Sequence, residues 1–312
     1  MNIFVTGGSG LVGSNITKAL LASQKHNVIA PPRRQCNLLD YQSTLEYISK
    51  NNPDVLIHCA GEVGGIQANI DDPVRFLIDN VDMGRNVILA AREVGVKRLI
   101  NLGSSCMYPA NAPNPLKESY LLSGLPEQTN EGYAIAKILT QRLCTYIRRE
   151  NSVFQYKTII PCNLYGPGDS FDSKTAHLVP AVINKLHRAI SDALDNVTIW
   201  GDGNSRREFM FVGDLSDFLI AAINDFDELP DLINVGAGYD CSILDCYKIA
   251  AEALGYKGSF SFDTDRPSGM YQKLLDITLS KEFGWSPQTN LEDGIHKTYE
   301  YYLRNLEERN SV

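Results

Sequence analysis

Tyr133 and Lys137 stand four residues apart in Tyr133-Ala134-Ile135-Ala136-Lys137. On a helix that spacing puts both side chains on one face. A free phenol titrates near pH ~10. An ammonium beside it favours the phenolate, so the pair predicts a tyrosine able to exchange a proton near neutral pH. Such a pair also arises by chance, and its meaning depends on what surrounds it. Leu102-Gly103-Ser104-Ser105-Cys106-Met107-Tyr108-Pro109 follows a strand-like run, where open α/β sheets place ligands. From there Ser104 can donate a hydrogen bond to the oxygen that Tyr133 protonates. Near the start of the chain, Gly7, Gly10 and Gly13 recur between an apolar run and a helical stretch. Glycines there allow a tight turn and close backbone approach, and a helix N-terminus attracts a pyrophosphate. The spacing differs from G-x-G-x-x-G, yet the context predicts a dinucleotide site. The second strand runs into Pro31-Pro32-Arg33-Arg34, where NAD sites often carry an acidic residue. Two arginines suit a 2′-phosphate and predict NADP; a solvated basic turn is the plainer alternative.

These groups need a scaffold, and the hydrophobic pattern supplies one. Ile3–Thr6, Val28–Ala30, Val55–Cys59, Lys97–Leu102 and Tyr156–Ile160 read as strands. Helical spacing runs from Leu11 to Ala22, through Val74, Leu77, Ile78, Val81, Ile88 and Leu89, and through Ile135, Leu139, Leu143 and Ile147. Strands alternating with helices predict an α/β fold, a Rossmann-like doubly wound parallel sheet with helices on both faces. From about Pro161 the pattern loosens and Gly and Pro become dense. Phe211–Asn224 reads as a helix behind Asp214, Leu232–Val235 as a further sheet strand, and the tail from Ser242 as short helices and loops. The expected organisation is a dinucleotide-binding domain over 1–160, rejoined by about 211–238, with a smaller interleaved α+β substrate domain over 161–210 and 239–312.

The chain has 312 residues, 44% hydrophobic and 21% charged, which excludes disorder, collagen and coiled coil as the main architecture. With 29 basic and 37 acidic residues the formal charge is −8, so nucleic acid is not an expected partner. Seven cysteines are widely spaced, without C-x-x-C or a zinc-like pattern; reduced thiols, no metal and a cytoplasmic location are expected. Met1 opens directly into a strand, and no apolar run approaches the roughly 20 residues of a membrane helix.

The glycine loop, Ser104 and Tyr133-x-x-x-Lys137, in this order, resemble the extended short-chain dehydrogenase/reductase family. The closer resemblance is to the GDP-L-fucose synthase family, which catalyses 3,5-epimerisation and 4-reduction of GDP-4-keto-6-deoxy-D-mannose. It is carried by Cys59-Ala60-Gly61-Glu62-Val63-Gly64-Gly65-Ile66, by Gly103 to Pro109, and by Thr129-Asn130-Glu131-Gly132 running into Tyr133. Asn163-Leu164-Tyr165-Gly166-Pro167, Trp200-Gly201 and Arg207-Glu208-Phe209 carry it further, and it extends from Ile3 to about Tyr302. The resemblance implies Ser104, Tyr133 and Lys137 as the reductive set, and Cys106 and His177 as the acid/base pair that removes and returns protons beside the ketone. It implies NADP contacts at Gly7, Gly8, Ser9, Gly10, Leu11, Val12 and Gly13, and at Arg33, Arg34, Asn37 and Leu38. Further contacts fall at Leu102, Gly103, Ser104, Ser105, Tyr133, Lys137, Pro161, Asn163, Leu164 and His177. For the GDP-sugar it points to Asn163, Lys185, Trp200, Arg207 and Lys273, with the planar fork of Arg207 suited to the diphosphate. It also implies a homodimer through helices near Val74–Ala91 and Ala134–Arg148.

Departures from the family pattern are Glu62 for Lys, Gly132 for Pro, Lys185 for Arg, Gly213 for an acidic residue and Ser268 for Asp. They keep the catalytic set and bear on the sugar. A reductase or epimerase/reductase of a related nucleotide 4-keto sugar, such as colitose or a heptose, is the alternative. A 4,6-dehydratase would carry Asp-Glu where Ser105-Cys106 stand. A non-catalytic NADP sensor on this fold usually lacks the Tyr or the Lys.

Overall fold

A computed structural model describes residues 1–172, 176–265 and 270–310, side chains of 309 and 310 excepted. The chain runs β1 (Asn2–Thr6), α1 (Leu11–Ser23), β2 (Asn27–Ile29), α2 (Tyr41–Asn51), β3 (Val55–His58), α3 (Ile66–Asp71) and α4 (Pro73–Val94). It continues with β4 (Arg98–Leu102), α5 (Glu131–Glu150), β5 (Gln155–Pro161), β6 (Asn163–Tyr165), α6 (Leu178–Ser191), β7 (Asn196–Trp200), β8 (Arg206–Arg207) and β9 (Phe209–Phe211). Last come α7 (Val212–Asn224), β10 (Leu232–Val235), β11 (Cys241–Ser242), α8 (Ile243–Leu254), β12 (Ser259–Asp263), β13 (Gln272–Lys273), α9 (Thr278–Glu282) and α10 (Leu291–Asn310).

Six strands form one parallel sheet in the order β10-β5-β4-β3-β1-β2. Ile3, Phe4, Val5, Leu56, Ile57, Leu99 and Ile100 have no exposed surface. Both faces of these strands are covered, which is why their apolar runs do not alternate. Each such side chain contributes roughly 1.5–3 kcal/mol on burial. One face packs on α1 and α7, the other on α2, α4 and α5. A separate core joins α6, α8 and α10 with β7 and β9. The predicted doubly wound sheet is therefore present, and Leu232–Val235 pairs with β5 as its outer strand.

Two readings of the sequence differ from the structure. Asp214 does not precede its helix; Phe211 is the cap, and Asp214 lies buried in the first turn. There its carboxylate accepts from Thr289 N at 3.0 Å and Thr289 Oγ1 at 2.9 Å, a tertiary contact that no local spacing encodes. The tail is not all short pieces, because α10 spans twenty residues. Its buried stripe uses Tyr299 and Tyr302 beside Leu291 and Ile295, and tyrosine weakens an aliphatic periodicity.

Candidate active site

The glycine loop is shaped by contact. Gly7 has φ +69°, and a Cβ there would lie 2.8 Å from the Ala60 backbone. A Cβ on Gly13 would lie 2.1 Å from the Gly7 carbonyl oxygen. Both positions exclude a side chain, and the turn closes with Gly10 N donating to Gly7 O at 2.9 Å. α1 starts at Gly10 with no side-chain cap, whereas α2 is capped by Asp40, which accepts from Ser43 N at 2.6 Å. The first amides of α1 thus stay available to an anionic group. Around them lies a cavity lined by Gly7, Gly8, Ser9, Gly10, Arg33, Asn37, Leu38 and Glu62. An uncapped amide cradle, room for a nucleoside and a flanking guanidinium fit the diphosphate and 2′-phosphate of NADP. Arg34 is exposed and lines neither this cavity nor the next.

A larger cavity of about 420 Å³ adjoins it, and Gly10, Cys59 and Gly61 are walls of both. Here the structure gathers Leu11, Val12, Gly13, Leu102, Gly103, Ser104, Ser105 and Cys106 with Tyr133, Lys137, Pro161, Asn163, Leu164, His177, Trp200 and Arg207. β4 ends at Leu102, and Ser104 caps the following 3-10 turn by accepting from Cys106 N at 3.2 Å. α5 carries Tyr133 and Lys137 one turn apart. Lys137 Nζ donates to Leu102 O at 3.0 Å and lies 5.8 Å from the centre of the Tyr133 ring.

Burial sets the protonation of this group. It lowers Lys137 to about 8, opposed by Cys59. It raises Tyr133 well above an ordinary phenol, aided by Cys106 and opposed by the Ser104 hydrogen bond. The sequence expectation of a phenolate favoured by Lys137 is thus reversed in the protein alone. Desolvation outweighs the ammonium, whose hydrogen bond goes to Leu102 O, and the phenol keeps its proton. His177, at the start of α6, is pushed down by burial, so its imidazole is neutral at pH 7.

The nucleotide-sugar candidates divide. β6 pairs with β9, and Asn163 Nδ2 donates to Glu208 O at 2.8 Å. Glu208 itself has no exposed surface, is raised to about 7 by burial, and accepts from Gly238 N and Leu275 N. Its carboxylate therefore ties the link between β8 and β9, next to Arg207, to the loop after β10 and the segment after β13. Trp200, 55% exposed, stands at the cavity wall. Lys185 lies outside the cavity lining, with Nζ donating to Thr198 O. Lys273 is buried and sends Nζ to Cys106 Sγ at 3.5 Å. The sequence reading had no role for Asn130, Asp169, Asn69 or Cys59, all of which line the cavity. Asn130 could have been found, since it precedes Tyr133 by three residues in the motif already singled out.

Of the departures, Glu62 is a half-exposed partner of Arg75 at 2.6 Å, a surface pair of little stabilising value. A Cβ on Gly132 would meet Pro73 O at 2.9 Å, so here α5 begins too close to α4 for a bulkier residue. A Cβ on Gly213 would meet the Phe211 ring at 2.6 Å. Ser268 lies outside the described residues. Among the described residues, no group of three metal-ligating side chains occurs, and no helix is long and apolar enough to cross a membrane. All seven cysteines are free.

Comparisons with known proteins match this architecture. The GDP-L-colitose synthase of Yersinia pseudotuberculosis is 49% identical over 97% of this chain and 98% of its own. The GDP-L-fucose synthase of Azorhizobium caulinodans is 46% identical over 96% of both. The solved GDP-L-fucose synthetase of Naegleria fowleri bound to NADP superposes with a TM-score of 0.87 at 25% identity, covering 98% of this chain and 95% of that one. A family model matches residues 3–236, and the chain belongs to the NAD dependent epimerase/dehydratase family.

Proposed function

We propose that the chain is an NADPH-dependent epimerase/reductase converting GDP-4-keto-6-deoxy-D-mannose to GDP-L-fucose. The observation that carries this reading is one cavity walled by Ser104, Cys106, Tyr133 and His177 and sharing its wall with the glycine cradle. The amides of Gly7 to Gly13 and α1 hold the cofactor diphosphate, and Arg33 with Asn37 and Leu38 holds the 2′-phosphate end. Bound there, NADPH supplies a hydride for a carbonyl carbon. Tyr133, a neutral phenol, donates its proton to the ketone oxygen, and Ser104 shares the hydrogen bonding. Lys137 keeps an ammonium beneath Tyr133 through Leu102 O. A carbon beside a ketone loses its proton to a base and leaves an enolate, and returning a proton on the other face inverts the centre. Cys106 and His177 divide that work. Arg207, Asn163 and Trp200 seat the nucleotide sugar, and residues 161–210 and 239–312 form the part that binds it. Lys185 and Lys273 act from outside the lining.

A second reading is favoured by the 49% identity to a GDP-L-colitose synthase: a 4-keto-3,6-dideoxy sugar processed by the same residues. Purified protein is given NADPH and each 4-keto sugar, nicotinamide absorbance is followed, and the product is identified by NMR. GDP-L-fucose supports the first reading and GDP-L-colitose the second. An unepimerised alcohol would leave a reductase alone.

A homodimer is part of the proposal. Val74 and Ile78 on α4 and Ile135 and Leu139 on α5 are large apolar side chains left exposed, and α4 packs along α5. Sedimentation of the purified chain reads the assembly, and a monomer would refute it.

A further inference from the structure

The sulfur of Cys106 faces two nitrogen donors from distant parts of the chain. Asn130 Nδ2 donates to Sγ at 3.1 Å, and Lys273 Nζ at 3.5 Å. Asn130 ends the 3-10 turn that leads into α5, Lys273 lies on β13, and Cys106 sits in the turn after β4. Lys273 is only 7% exposed, and a buried ammonium needs a partner. Among the described residues, the Cys106 sulfur is the acceptor its Nζ reaches. The other end of Asn130 is different: among the described residues Oδ1 is buried with no partner, in a residue that lines the cavity. Arg207 on β8 and Tyr133 on α5 also lie near Cys106, and Glu127 lies near Arg207.

We propose that Asn130 and Lys273 are positioning residues for Cys106, two N–H donors that keep its sulfur an acceptor, and that Asn130 Oδ1 receives a hydroxyl of the bound sugar. The proposal rests on the proton work assigned to Cys106 above. Two N–H donors hold the sulfur as a hydrogen-bond acceptor aimed into the cavity, and only S⁻ can take a proton. In that step the S–H bond forms as the C–H bond beside the ketone breaks, and the C–H electron pair moves toward the carbonyl oxygen. Asn130 and Lys273 keep their protons. One amide thereby couples the seating of the sugar to the state of the sulfur.

The test uses the full chain and two readouts. The first is alkylation of Cys106 by iodoacetamide across pH, without substrate, followed on its own peptide by mass spectrometry. The second is deuterium entry from D2O beside the substrate ketone. Asn130→Asp keeps shape and oxygen but loses the N–H. It slows alkylation about tenfold at neutral pH, because the sulfur loses one of its two donors. It lowers kcat for deuterium entry and leaves KM near the parental value. Asn130→Ala lowers kcat and also raises KM. Lys273→Met slows alkylation in the same sense, and Lys273→Arg restores it. A role limited to packing would not separate kcat from KM in this way. Parental alkylation rates in both Asn130→Asp and Lys273→Met would overturn the proposal. If the parent neither exchanges nor reduces the sugar, the functional reading fails, while the alkylation comparison still judges these two residues.

Discussion

The cofactor cradle and the cluster around Cys106 are built by opposite means. The cradle is backbone: a turn of glycines and an uncapped helix start, complete within residues 7–13. The Cys106 cluster is side chain: a sulfur, an amide and an ammonium from residues 106, 130 and 273, brought together by the ends of β4 and α5 and by β13. The first depends on the absence of atoms, so adding any atom damages it. The second depends on donors of the right kind, so it answers to isosteric change. A single-residue test therefore separates the two regions.

Gly13→Ala should have the largest effect. Its new Cβ falls 2.1 Å from the Gly7 carbonyl oxygen, and the backbone must move. Titration calorimetry is expected to show NADPH binding lost, while Cys106 in the folded variant still alkylates normally. Next in size, Tyr133→Phe is expected to lower reduction about a thousandfold and leave deuterium entry beside the ketone. Cys106→Ser reverses the pattern, losing deuterium entry first. Loss of both activities in a folded Tyr133→Phe would end the division of roles.

The pH dependence sharpens the same contrast. Burial lowers Lys137 to about 8 in the folded chain, against roughly 10.5 unfolded. Its ammonium therefore costs stability below about pH 8, and that cost fades as pH rises from about 8 toward 10.5. Reduction runs the other way: it is expected to fall as pH rises through about 8 and the ammonium beside Tyr133 is lost. A flat rate to pH 9 would remove Lys137 from the step. The smallest effect is expected at the basic turn. Arg33→Ala should weaken NADPH about tenfold and leave NADH unchanged, since Arg33 lines the nucleoside cavity. Arg34→Ala should change neither. Equal losses in the two variants would mean that the turn acts only through its summed charge.

Much of the architecture was legible in the sequence. β1, β3, β4 and β5 show as apolar runs because both faces of the parallel sheet are covered there, whereas β2, at the sheet edge, is only partly buried. The cofactor loop shows because its glycines fall within seven residues, and Gly13 excludes a side chain through Gly7 itself; that Gly7 must also clear the Ala60 backbone shows only in the fold. Tyr133 and Lys137 show because one helical turn brings four-residue neighbours together. Cys106 and His177 came only from resemblance, since no short spacing joins residues 71 apart.

What the sequence by itself determined is whatever neighbours along the chain can build: strands, helices, the glycine turn and the Tyr-Lys face. Tertiary structure decided what separate segments do when they meet. It turned Lys273 toward the Cys106 sulfur, left Asn130 Oδ1 without a partner among the described residues, put Asp214 against Thr289 and set Arg34 outside the cavity. It also decided the protonation of Tyr133, because desolvation depends on every atom packed around the phenol and not on the ammonium one turn away. Spacing specifies local geometry, and burial is a property of the whole fold.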